Sequence, residues 1–222
     1  MFDRIAHRYD LMNRLMTFGI DRAWRRTTIA ALQISPRDRL IDLACGTGDL
    51  ALEGARAGAR VIGFDLSAGM LREARERRIA CVLVRGDALC LPLADACCDA
   101  VVSGFALRNF ADVAIALAEA ARVLKPDGRL ALLEVDTPGS RFLRCGHRLY
   151  FHHVVPLLGR LLSDGDAYSY LPASVAYLPA ERALREMLEA AGFRSIEKRR
   201  LSGGVAQLVT ARRSREREDD GA

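Results

Sequence analysis

From Arg39 onward, short apolar runs alternate with longer amphipathic ones, and this alternation constrains the fold more tightly than any other feature of the chain. Leu40–Leu43, Arg60–Asp65, Cys81–Arg85, Cys98–Ser103 and Arg129–Val135 have the length and apolar character of buried strands. Between them, Asp49–Ala57, Ser67–Arg78 and the stretch from about Ala111 to Leu124 read as helices, the second capped by its serine. The turn "KPDGR", Lys125–Arg129, ends the third helix and starts the next strand. Strands joined by helices of this length require right-handed crossovers, which build a parallel sheet covered by helices on both faces. A helix at Ala180–Ala191 and two strands, Ser195–Arg200 and Gln207–Ala211, close the domain and bring the strand count to seven. The expected class is α/β.

Two segments depart from the rhythm. Residues 1–32 read as a helical cap, with Phe2, Ile5, Tyr9, Met12, Leu15 and Met16 at helical spacing and Gly19 as the break. Asp21 is placed to cap a second helix carrying Trp24, Ile29 and Leu32. Residues 140–180, "YFHHVVPLLGRLLSDGDAYSYLPASVAYLP" within them, mix aromatics, histidine, proline and glycine and suit a covering segment over a site. The mixed-charge tail, 213–222, has the composition of a disordered end. A length of 222 residues suits one domain, 1–212.

Composition narrows the partners. The formal charge is +5 and arginine far outnumbers lysine, which suits acidic surfaces, a membrane face among them. Few aromatics are interleaved with the basic residues, so no base-stacking platform is indicated and nucleic acid is not expected. Six cysteines form no C-x-x-C pair, and no ligand spacing joins them to His147, His152 and His153, so no metal site is expected. The cysteines fit apolar thiols in a reducing compartment. No apolar run reaches the roughly 18 residues of a membrane span. "MFDRIAHRYD" lacks the apolar core of a signal peptide, so a cytoplasmic protein is expected.

The stretch "DLACGTGDL" follows the first strand, at the sheet edge where open parallel sheets bind ligands. Gly46 and Gly48 let the backbone approach a ligand where a Cβ would collide. Asp65 ends the second strand about 20 residues on, the usual place for a carboxylate gripping a ribose. A dinucleotide would want G-x-G-x-x-G. Here Ala44 fills the first position in one frame, and the third is unmatched in the other. Asp49 would also set a negative charge against a pyrophosphate at the helix start. A ligand with a ribose, a cation and no phosphate suits the site better, and S-adenosylmethionine is such a ligand. Asp42 and Asp49 would bring negative charge to its amino and sulfonium end, while Asp65 takes the ribose. Asp87 would accept from the adenine amino group as the Ala88 N–H reaches a ring nitrogen. The plain alternatives are a glycine turn needed only for strand–helix packing, and a turn-forming Asp87.

At this point "MFDRIAHRYDLMNRLMTFGIDRAWRR", "DLACGTGDL", "FDLSAGML", "FALRNF", "RVLKPDGRLALLEVDTP" and "DAYSYLPASVAYLP" together resemble the quinone-biosynthesis C-methyltransferases of the ubiquinone and menaquinone pathways. The likeness runs from Phe2 to about Arg212. It implies the class I methyltransferase fold, Rossmann-like, with a seven-stranded, mostly parallel sheet. It also implies methyl transfer from S-adenosylmethionine to a ring carbon of a polyprenylated hydroquinone, either demethylmenaquinol or a ubiquinone-pathway intermediate. Donor contacts carried over by motif fall on Gly46, Thr47, Gly48, Asp65, Leu66, Asp87 and Ala88, and residues implied at the acceptor are Tyr9, Asn13, Arg108 and Asn109. Gly104 stands on the donor side where many members have serine. Leu93 and Cys98 replace family aromatics near the adenine, and Asp136 replaces a serine near the site.

A ring carbon attacks well only once the neighbouring hydroxyl is a phenolate. An arginine stabilises that anion with a fixed charge and forked donors, so Arg108 is the expected catalytic group, aided by Asn109 and Tyr9. The plain alternative for Arg108 is a salt bridge holding its loop. Tyr150, His153 and Tyr170 would line the quinol pocket, or belong to ordinary core. The expected protein is a cytoplasmic methyltransferase, peripheral at the inner face of the cell membrane and homodimeric. Its rivals are an enzyme for a soluble phenolic natural product and a non-catalytic partner in a biosynthetic assembly.

Overall fold

The computed structural model describes residues 14–136 and 178–215. In chain order these form α1 (Asp21–Ala31), β1 (Arg39–Leu43), α2 (Asp49–Arg56), β2 (Arg60–Asp65), α3 (Ala68–Glu76), β3 (Cys81–Arg85) and β4 (Cys98–Gly104). A 3-10 turn (Leu107–Asn109), α4 (Val113–Val123), β5 (Leu124–Val135), α5 (Glu181–Ala190), β6 (Phe193–Leu201) and β7 (Ala206–Arg213) follow. The seven strands make one sheet in the order β3-β2-β1-β4-β5-β7-β6, and β7 alone runs against the rest.

The unbroken apolar runs are explained by burial on both sides. Ile41, Leu43, Val101, Leu130 and Leu132 pack on one face with Leu117, Leu184, Leu188 and Phe193. Leu40, Ala100, Val102 and Ala131 pack on the other with Ile29, Leu32 and Leu50. Each fully buried large side chain contributes roughly 1.5–3 kcal/mol. The chain builds outward from β1 through β2 to β3, then returns to β4 on the other side of β1. That reversal opens a crevice at the carboxyl ends of β1 and β4.

The helix starts follow local chemistry. Ser67 caps α3, its Oγ accepting from Met70 N at 3.1 Å, and Asp112 caps α4 by accepting from Ile115 N at 3.0 Å. Asp21 does not cap α1. Ile20 holds the cap position, and Asp21 lies buried in the first turn, accepting from Thr17 Oγ1 at 2.9 Å and pairing with Arg25. The "KPDGR" turn also differs from expectation. Strand pairing already begins at Leu124, opposite Cys98, and a register shift before Ala100 absorbs the irregularity. The cysteines divide: Cys45 and Cys98 are buried, Cys81 and Cys97 half-buried, and Cys90 exposed. Tyr9, Asn13, Tyr150, His153 and Tyr170, with nearly all of the 140–180 segment and most of the tail, lie outside the described residues.

Candidate active site

Alternate residues of the glycine turn are left-handed. Ala44, Gly46 and Gly48 have φ of 52°, 56° and 85°. Gly48 stands at the N-cap of α2, where a Cβ would come within 2.5 Å of Ile79 Cδ1. Among the described residues, a Cβ on Gly46 would meet nothing within 4 Å. Asp65, at the end of β2, ties the turn to the next loop. Its Oδ2 accepts from Gly46 N and its Oδ1 from Ser67 N, both at 2.8 Å. A carboxylate has about four acceptor positions, and these amides take one on each oxygen. Leu66 beside it is 61% exposed, an apolar surface at the crevice. After β3, Asp87 Oδ1 accepts from Leu89 N at 3.0 Å, so the turn-forming role is realised, while Ala88 is buried. Gly104 ends β4, where a Cβ would lie 2.6 Å from Leu50 Cδ1, so a serine there would have to push that leucine aside.

The acids differ sharply in charge state. Asp42 is fully buried in β1, and both its carboxyl oxygens lack a hydrogen-bond partner of normal geometry among the described residues. Burial pushes its pKa up to about 8, with Asp65 adding to the rise; the Ala51 amide and the Arg25 charge oppose it without reversing it. Burial also raises Asp49, but Arg25 and Arg77 outweigh it and hold its pKa below the ordinary value. Arg77 Nη2 lies 2.5 Å from Asp49 and Arg25 Nη2 3.3 Å. The two acids of the expected rim therefore differ in surroundings: Asp49 is paired with two arginines, whereas Asp42 is buried without such a pair.

Across the crevice, the 3-10 turn after β4 carries Arg108 and Asn109. Glu134 of β5 reaches under this turn: Oε1 accepts from Leu107 N at 2.8 Å, and Oε2 lies 3.2 Å from Arg108 Nη1. Both side chains are more than nine-tenths buried. Burial pushes Glu134 up to about 7 against the opposing pull of Arg108 and the Leu107 amide. The salt bridge anticipated as an alternative is thus real. It occupies one arm of Arg108, while Nε is buried without a partner among the described residues. Asn109 is exposed, its side-chain amide 3.5 Å from the Phe105 carbonyl. Asp136 lies 3.0 Å from Lys198, so its added charge is compensated.

Reading the residues missed Glu134, Arg25 and Arg77. A lone acid inside the apolar run "LALLEV" was a usable signal for Glu134. Arg25 and Arg77 carry no comparable signal, because each becomes significant only through Asp49.

Residues 1–213 match the ubiE/COQ5 methyltransferase family. The chain belongs to this family. It is 46% identical over 222 residues to the ubiquinone/menaquinone biosynthesis C-methyltransferase UbiE of Syntrophotalea carbinolica, covering 96% of this chain and 93% of that protein. It is 46% identical over 216 residues to the demethylmenaquinone methyltransferase of Thermus thermophilus, covering 94% and 97%. Among solved structures, a SAM-dependent methyltransferase from Thermotoga maritima superposes with a TM-score of 0.68 at 20% identity, over 96% of this chain and 98% of that one. One from Aquifex aeolicus does so with 0.62 at 16%, over 85% and 88%. These two speak for the fold alone. The chain is an S-adenosylmethionine-dependent C-methyltransferase of quinone biosynthesis with the class I fold.

The donor suits the residues present. Asp42 offers unpartnered buried oxygens, the open space over Gly46 admits a ligand against backbone, and Asp65 and Leu66 supply an acceptor and an apolar face.

Proposed function

We propose that the acceptor is a polyprenylated hydroquinone, with demethylmenaquinol favoured over a ubiquinone-pathway intermediate, and that Arg108, Asn109 and Tyr9 carry the chemistry. The observation that supports the arginine's role is its buried Nε without a partner, beside a guanidinium arm already fixed by Glu134. A buried donor left unpaired costs free energy, roughly 1–3 kcal/mol, that an arriving phenolic oxygen would recover. The relatives' names favour the menaquinone precursor: the Thermus thermophilus protein is a demethylmenaquinone methyltransferase.

The donor, when bound, supplies an electrophilic methyl group on a sulfonium sulfur. In our reading Gly46, Thr47, Gly48, Asp65, Leu66, Asp87, Ala88 and Gly104 bind it, with Asp42 beneath. Arg108 stabilises the phenolate oxygen, which raises electron density on the adjacent ring carbon. Asn109 orients the ring, and Asn13, Tyr150, His153 and Tyr170 complete the acceptor pocket. Near α1, Phe18 is 79% exposed and Ile20 and Leu15 are also exposed, beside the exposed Arg22 and Arg26. An apolar patch edged with arginines suits peripheral contact with anionic lipid, which would bring a membrane-borne quinol within reach. No helix among the described residues is long and apolar enough to cross a membrane. A homodimer completes the proposal, and sedimentation velocity tests it.

The acceptor claim is tested by incubating the protein with labelled S-adenosylmethionine and reduced demethylmenaquinone in lipid vesicles, then weighing the product by mass spectrometry. A single added methyl on the ring is expected. Equal or faster methylation of a soluble, unprenylated phenol would overturn the acceptor.

A further inference from the structure

Arg25 of α1 touches both halves of the site. It pairs with Asp21 one turn earlier and lies 3.3 Å from Asp49, the first residue of the helix behind the glycine turn. Arg77 grips that turn from the other side, with Nη2 on Asp49 at 2.5 Å and Nη1 donating to the Thr47 carbonyl at 2.8 Å. The Arg25 guanidinium also sits over the Phe105 ring, 5.5 Å from its centroid. Trp24 packs on the same ring with centroids 6.3 Å apart, and its Nε1 donates to Ser202 Oγ at 2.8 Å.

Phe105 is held in an uncommon conformation. Its φ is 58°, a left-handed value that costs an aromatic residue about 1 kcal/mol or more and persists only when its surroundings enforce it. Phe105 N donates to the Leu133 carbonyl at 2.7 Å, and its own carbonyl faces the Asn109 side chain. Phe105 therefore sets the path of the chain from β4 into the turn that carries Arg108 and Asn109. A guanidinium can serve both neighbours at once: its edges meet carboxylates while its face covers a ring.

We propose that Arg25 is a positioning residue that couples the donor turn to the acceptor turn. Through Asp49 it fixes the start of α2, and through Phe105 it fixes the approach to Arg108, so ordering one loop favours the productive placement of the other. This rests on the assignment of those loops to donor and acceptor made above.

The test measures binding, with S-adenosylhomocysteine as a non-reacting probe of the donor site. Calorimetry gives its affinity with and without a saturating short-chain demethylated naphthohydroquinone, kept reduced. In the wild type the hydroquinone should tighten probe binding by about fivefold or more, within the range of ordinary coupling between sites. Arg25→Lys, which keeps a charge but loses the planar face, should reduce that factor to within about twofold of unity. Phe105→Leu leaves every ion pair in place and should do the same, which guards against an Arg25 variant that fails to fold. A wild-type factor near one would overturn the proposal, as would variants that lose thermal stability yet keep the wild-type factor. Failure of the enzymatic reading looks different: the wild type would bind no probe at all, or would transfer no methyl group.

Discussion

Replacing Asp65 with alanine removes one carboxylate from three tasks at once. In the structure its two oxygens receive the Gly46 and Ser67 amides at 2.8 Å each, so the glycine turn and the start of α3 lose a shared charged acceptor. Hydrogen bonds to a charged group contribute roughly 1.5–3 kcal/mol each when made in a protein. Both amides are only partly buried and water recovers part of that, so we expect a stability loss of about 2 kcal/mol. For a domain of this size that lowers the melting temperature by roughly 4–8 °C. The third task, in the proposed reading, is holding the donor's ribose. Losing its charged acceptor should weaken S-adenosylmethionine binding by about tenfold to several hundredfold. Asp65→Asn separates the tasks further, because an amide can accept on one side only and turns its NH2 toward the other backbone N–H. Titration calorimetry with thermal denaturation reads both effects. A melting temperature that falls while donor affinity stays at the wild-type value would mean Asp65 ties the turn and does nothing else.

The two turn glycines should fail differently. Gly48→Ala places a Cβ at φ 85° and against Ile79, so it should cost about 1–2 kcal/mol of stability, measured by urea denaturation. Gly46→Ala carries the strain of φ 56° but meets no atom of the described residues within 4 Å, so its larger effect should be on donor affinity, where a Cβ enters the space over the turn. Glu134 titrates near 7, above its ordinary 4.5, so the folded protein binds more protons than the unfolded chain between those values. Stability of the wild type relative to Glu134→Gln should therefore fall as pH rises from about 4 to about 8, by on the order of a few kcal/mol, and a rise over that range would refute the assignment.

Much of the fold was legible because both-face burial writes itself into sequence as uninterrupted apolar runs. Arg60–Asp65 falls where expected to the residue, and so does Cys81–Arg85, although that strand is the sheet's edge and its Val82 is exposed. The Ser67 cap was legible for a similar reason, since the bond spans only three residues. What was not legible depends on long-range pairing. Asp21 is the local exception: the first turn of α1 offered it as a cap, yet its carboxylate pairs with Thr17 and Arg25, each four residues away, and lies buried. Asp49 read as part of an acidic rim because its two arginines come from α1 and from just beyond α3. In β5, the proline and glycine of "KPDGR" signalled a turn, but pairing with Cys98 keeps Leu124 in the sheet. Gly46 and Asp65 do meet, through the Gly46 amide, and Gly48 stands in the same turn. Arg108 was implied by the family resemblance and suits the chemistry, but its partner Glu134 lies 26 residues on, and only the parallel pairing of β4 with β5 brings the two together.

Arg108→Lys tests the central claim most directly. Lysine keeps the charge near Glu134 and loses the forked donors, so turnover should drop by roughly 10²–10³ while donor affinity stays close to wild type. Raising the pH should partly restore turnover, because more of the acceptor then ionises without help. A variant that melts at a lower temperature yet methylates at the wild-type rate per folded molecule, with no response to pH, would contradict the account and leave Arg108 as a structural ion pair.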